Sequence, residues 1–203
     1  MDRTQHSSKV PKALGVTGTP GTGKKTVSPI LASLLDLRLL EINSLAIPYS
    51  VPNREGELVV DVEILASELR RREIAGAVVS GHLLADVLKR GDLGFVAVLR
   101  CEPAVLKRRL TSRGYPHEKV IENVEAELIG VGLDAAVRRF GATKVHDYDA
   151  TRAKPALLAR TIADDYRGGL PQAEPWRDWI LDYDSSTKLR SLLSRPRTEP
   201  AST

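Results

Sequence analysis

A chain of 203 residues with 42% apolar and 28% charged side chains is long enough to bury the core of one α/β domain with extensions. No apolar run approaches a bilayer span, and the first twelve residues lack the apolar centre of a secretory leader. The lone Cys101 excludes intrachain disulfides and zinc cages built on several thiolates, so a cytoplasmic protein with no membrane partner is expected. The net charge of +4 is uneven: Arg3, Lys9 and Lys12 outweigh Asp2 by two, and Lys188, Arg190, Arg195 and Arg197 outweigh Asp184 and Glu199 by two, which leaves 13–183 neutral. Both ends are rich in Ser, Thr and Pro, a composition that buries too little to fold. Residues 1–12 and 184–203 therefore read as disordered tails, first as solvated chain and second as segments that touch RNA phosphate.

Residues 13–16 form a short apolar run that reads as a buried strand, followed by Gly18-Thr19-Pro20-Gly21-Thr22-Gly23-Lys24 and then a helical pattern. Strand, glycine loop and helix in that order are the setting of a phosphate-binding loop. Gly18, Gly21 and Gly23 accept the positive dihedral angles that turn successive N–H groups inward. The helix N-terminus adds the positive end of its dipole, and Lys24 reaches the outer phosphates of a bound nucleotide. The motif Gly-x-x-x-x-Gly-Lys-Ser/Thr is complete except at its last place, where Lys25 stands and the hydroxyl arrives one residue late, as Thr26.

Residues 24–36 carry Val27, Ile30, Leu31, Leu34 and Leu35 on one stripe of a helix, with a bent first turn expected at Pro29. A second strand follows at 37–42. Residues 43–57 show no steady period and contain Pro48, Pro52 and Gly56, so an irregular, mobile stretch is expected there. Asp61 caps a helix running to about residue 72, whose basic end Arg70-Arg71-Arg72 suits the dipole. Strands are expected at 76–81 and 94–101, separated by a helix at 82–89; continuous apolar runs of this kind indicate a parallel sheet covered on both faces. Pro103 opens a helix to about 112, Arg113-Gly114-Tyr115-Pro116 breaks it, and one long helix is expected at 117–140. A fifth strand at 144–149 and a helix from Pro155 to the Gly168-Gly169 pair complete the body. Trp176 and Trp179, three apart, are expected to share a helix face packed on it.

Several separated stretches resemble one family, the archaeal and eukaryotic adenylate-kinase-like ribosome assembly ATPases of the adenylate kinase isoenzyme six type. They are the loop 18–24, Gly81-His82-Leu83, Val98-Leu99-Arg100, Arg109-Leu110, Arg113-Gly114-Tyr115, Glu118-Lys119-Val120, Glu122-Asn123-Val124-Glu125-Ala126-Glu127, and 176–183. The similarity spans about 13–183. It implies an α/β P-loop NTPase fold of the nucleoside monophosphate kinase type, a five-stranded parallel sheet with helices on both faces. It also implies an NMP-binding segment around 41–64 and a lid around 112–122.

The activity implied is transfer of the terminal phosphate of ATP to a nucleoside monophosphate such as AMP, with broad acceptor specificity, together with ATP hydrolysis. The implied cofactors are ATP and Mg2+. The implied partners are small-subunit ribosomal protein eleven and pre-ribosomal particles, in late maturation of the small subunit and its rRNA. A monophosphate acceptor is already anionic, so the site must supply alignment and positive charge rather than a base. Gly21, Gly23, Lys24, Lys25 and Thr26 would hold the donor phosphates, and Arg113 would close over them. Arg109, one turn earlier, either converges with Arg113 or is a solvated helix charge. Arg100 sits at a strand end where ligands of such sheets collect, and reads equally as a phosphate ligand or a structural cation. His82, after the third strand, either orients water or metal or is structural. Arg54, the one arginine in 44–57, is the candidate acceptor ligand. Ser80 and Lys25 depart from the family, which commonly carries an acidic residue at the first position and a hydroxyl at the second. Weak catalysis by a nucleotide-binding assembly factor, or a kinase for another small metabolite, are the alternative readings.

Overall fold

The computed structural model describes residues 12–52, 58–168, 176–183 and 185–194. Five strands, β1 (Ala13–Thr17), β2 (Arg38–Glu41), β5 (Ala77–Ser80), β6 (Leu93–Arg100) and β7 (Val145–Asp149), form one sheet in the order β2-β5-β1-β6-β7, with every pairing parallel. The strands alternate their apolar side chains between two cores because successive residues point to opposite faces. Val79, Val96 and Val98 join Ile42, Leu65, Leu69, Leu84, Leu133 and Phe140 on one face. Val78, Phe95, Ala97 and Leu99 join Val27, Leu31, Tyr148 and Ile162 on the other. The first face is covered by α3 (Val62–Arg71), α4 (Leu84–Val87) and α7 (Val131–Phe140), the second by α1 (Lys24–Leu35) and α8 (Pro155–Gly168). A third core joins α5 (Pro103–Ser112) and α6 (His117–Leu128) to the segment 179–183 and to α9 (Ser186–Leu193).

The helical assignment of α1 runs unbroken through Pro29, whose ring is exposed. Asp61 caps α3 as expected, its carboxylate accepting from the N–H groups of Glu63 and Ile64 at 3.1 and 3.0 Å.

Five expectations are corrected. Residues 43–57 are not irregular throughout: α2 (Ile42–Ala46) leads into a 3₁₀ turn (Ile47–Tyr49) and a two-stranded antiparallel hairpin of β3 (Ser50–Pro52) and β4 (Leu58–Val60), with residues 53–57 outside the described residues. The β-branched pairing of Val51 with Val59 outweighs the flanking prolines, which sit at a turn and at a strand end. The helix expected at 117–140 is two helices, because Gly130 takes a left-handed φ of 72° between α6 and α7. The helix expected at 82–89 shortens to the single turn of α4. Within 184–203, residues 186–193 form α9, capped by the Ser185 hydroxyl and burying Leu192 beside Leu106, Leu110 and Trp179; residues 184 and 195–203, like 1–11, lie outside the described residues. The tryptophans also part company: Trp179 is 3% exposed and begins a 3₁₀ segment, whereas Trp176 is 42% exposed and precedes it.

Candidate active site

The C-terminal ends of β1, β5 and β6 bring Thr17, Ser80 and Arg100 to one edge of the sheet, the edge at which open α/β sheets bind ligands. The loop 18–23 leaves β1 there and returns as α1. Gly18 has φ 135°, and a Cβ on it would overlap the Leu99 carbonyl oxygen; Gly21 has φ 95°, and a Cβ would lie 2.7 Å from Leu106 Cδ1. The loop therefore presses against β6 and α5 as closely as its backbone allows. Gly23, with φ 109°, is the N-cap of α1. Thr22 Oγ1 donates to the Thr19 carbonyl at 2.9 Å and tightens the turn.

Lys24, the first residue of α1, folds back over the loop, its Nζ donating to the carbonyls of Gly18 at 2.5 Å and Thr19 at 3.0 Å. Burial pulls its pKa down to about 8, against an upward pull from the Glu127 carboxylate. An ammonium group thus stands at a helix N-terminus that has no acidic residue in its first turn, an arrangement that attracts phosphate. Lys25 and Thr26 follow on the same turn and are exposed.

Beneath the loop lies Glu127, which sequence reasoning did not single out. Its carboxylate accepts from Thr19 Oγ1 at 2.5 Å, Arg100 Nε at 2.8 Å, the Cys101 N–H at 2.9 Å and Trp179 Nε1 at 3.3 Å. Arg100 donates further to the carbonyls of Glu127 at 2.9 Å and Arg177 at 3.2 Å, and both members of the pair are 2% exposed. The reading of Arg100 as a phosphate ligand is corrected: its guanidinium is bound beneath the loop, and pulling it out would leave a buried carboxylate without its cation. The signal for Glu127 was present in the helical spacing, since a carboxylate falls on the same stripe as Val120, Val124 and Leu128. Arg109 is likewise held, donating to the carbonyls of Ala150 at 3.0 Å and Thr151 at 2.7 Å, and so does not converge with Arg113.

Arg113 and His82 are the remaining candidates among the described residues, and both are exposed. Arg113 is exposed at the C-cap of α5, at the start of the 113–116 turn. His82 follows β5, and partial burial of its ring, then the nearby Lys24 ammonium, hold its pKa below the usual imidazole range while Asp86 opposes the shift. Asn43 Nδ2 lies 3.3 Å from His82 Nδ1; with the amide donating, the neutral ring carries its proton on Nε2. Arg54 lies outside the described residues.

P-loop proteins hold magnesium with the hydroxyl after the loop lysine and with an acidic residue at the end of a neighbouring strand. At the first place this chain has Lys25. At the end of β5 it has Ser80, buried, whose hydroxyl accepts a hydrogen bond from Ser28 Oγ of α1 at 2.8 Å. Ammonium is no metal ligand and serine brings no charge, so this donor set does not fit a magnesium ion held from the protein side.

A family model described as an AAA domain matches residues 14–130. The protein named "Putative adenylate kinase" of Thermococcus gammatolerans is 37% identical over 174 residues, which cover 84% of this chain and 94% of that one. The protein of the same name from Natronomonas pharaonis is 35% identical over 151 residues, covering 73% and 86%. Among solved structures, the shikimate kinase of Acinetobacter baumannii superposes with TM-score 0.56 at 18% identity, covering 78% of this chain and 94% of its own. A gluconokinase of Sinorhizobium meliloti does so with TM-score 0.53 at 20% identity, covering 87% and 98%. These two show the fold, an α/β P-loop kinase fold, and no more. No helix among the described residues is long and apolar enough to cross a membrane. With the family model covering more than half of the chain and the relatives aligned along most of it, the protein belongs to the adenylate-kinase-like family of P-loop kinases.

Proposed function

We propose that the protein is a nucleoside monophosphate kinase that moves the terminal phosphate of ATP to a monophosphate such as AMP. The observation that carries this reading is Lys24, drawn over the loop between the Gly18 and Thr19 carbonyls at the ligand edge of the sheet. A phosphate oxygen of the acceptor attacks the γ-phosphorus in line, a new P–O bond forms, the bond to the β,γ-bridging oxygen breaks, and ADP leaves from each side. No proton need be removed, because the attacking oxygen is already anionic. Lys24 and the loop N–H groups stabilise charge on the β- and γ-phosphates, and Arg113, on the exposed turn, closes over them. His82, neutral beside Lys24, donates from Nε2 to a phosphate oxygen or to the water that takes the acceptor's place in ATP hydrolysis. The acceptor binds on the segment around 41–64 in this reading, with Arg54 as its phosphate ligand.

Lys25 and Ser80 favour a second reading, a nucleotide-binding assembly factor with slow turnover. The role in ribosome maturation and the partnership with a small-subunit ribosomal protein rest on family resemblance alone. The test is ADP formation from ATP paired with AMP, CMP, UMP or GMP, followed by chromatography. Stoichiometric ADP and NDP formation with at least one acceptor is expected; turnover with no nucleotide acceptor would remove the kinase reading and leave the second.

A further inference from the structure

The charge around the first turn of α1 does not match a magnesium-neutralised triphosphate. Lys24 and Lys25 are adjacent, the turn contains no acidic residue, and the helix dipole adds to both. The carboxylate that acts on Lys24 from the floor, Glu127, is already balanced by Arg100 at 2.8 Å. At the strand end where an acidic residue would add negative charge, Ser80 is neutral and bonded to Ser28. The site therefore has one cation more and one anion fewer than the usual loop. A free nucleoside triphosphate carries about two more negative charges than its magnesium complex, which is the same difference in sign and size.

We infer that this chain binds uncomplexed nucleoside triphosphate at least as tightly as the magnesium complex, the exposed Lys25 ammonium taking the metal's place in the charge balance. This rests on the nucleotide reading given above and specifies its ligand. A long flexible stem and an exposed position let Lys25 reach the outer phosphates without disturbing the core. A magnesium ion brought in by the nucleotide meets that ammonium at close range and gains no carboxylate from Ser80.

The experiment is isothermal titration of ATP into the 203-residue protein in excess EDTA and in excess magnesium, repeated with Lys25→Thr. Lys25 is exposed, so this substitution does not threaten folding. In the unaltered protein the Kd in EDTA is expected to be equal to or below that in magnesium. In Lys25→Thr, affinity in EDTA falls about tenfold and magnesium becomes favourable. Binding of ATP by the unaltered protein that magnesium tightens about tenfold or more would overturn the inference while leaving the nucleotide reading intact. Binding in neither condition would overturn both, and a Lys25→Thr protein with unchanged metal preference would show that Lys25 is not the cause.

Discussion

Beneath the phosphate loop and on its rim, the same residue type is used in opposite ways. On the floor, Arg100 is buried and held by Glu127, which also takes hydrogen bonds from Thr19, Cys101 and Trp179. On the rim, Arg113, Lys25 and Thr26 are exposed on turns or at a helix start. Water solvates rim cations at little cost, so they remain available to a ligand. A buried cation must be paired where it lies, and serves the site by fixing the loop that other residues use.

The largest expected effect comes from breaking the floor. Glu127→Ala leaves Arg100 buried without its carboxylate and should cost about 3–5 kcal/mol in urea denaturation. A variant as stable as its parent that lost turnover alone would erase the distinction between floor and rim. Arg113→Ala should show the reverse: turnover in the ATP plus AMP assay down about 10–100-fold, with stability altered by no more than about 0.5 kcal/mol.

Lys24 lies between the two regions, and pH sharpens its position. The ammonium form binds the anion; it is present below its pKa of about 8 and lost above it, so ATP affinity should fall as pH rises through that value. The terminal phosphate loses its last proton at the low end of this range, a change that strengthens binding to a cationic site and so does not produce the expected fall. Titration calorimetry between neutral pH and pH about 9 should show a loss approaching tenfold, and Lys24→Met should flatten the profile. The smallest effect belongs to α3. Asp61→Ala removes the α3 cap and should lower stability by about 1 kcal/mol, with ATP affinity unchanged because the buried side chains of α3, Leu65 and Leu69, pack into the core on one face of the sheet.

The parallel sheet was legible because its strands are continuous apolar runs such as Ala77–Ser80, and the loop because glycines and lysine keep fixed spacing between a strand and a helix. What escaped depended on tertiary context. Gly130 interrupts an otherwise helical stripe, and whether a glycine is passed through or turned left-handed is decided by what the two halves pack against. The helix α9 is short and polar on most sides; it is helical because Leu192 finds Leu106, Leu110 and Trp179. The sequence offers both Arg100, at a strand end, and Arg113, in a loop, as candidate phosphate cations, and leaves only the first balanced against a structural role. They differ because Glu127, on a different helix, reaches one of them.

The most direct test is calorimetric titration of ATP into the unaltered protein and into Lys24→Met at neutral pH. One site per chain is expected, weakened about tenfold or more by the substitution. Equal affinity in the two proteins, or no heat of binding in either, would contradict the assignment of the loop and its lysine as the triphosphate site.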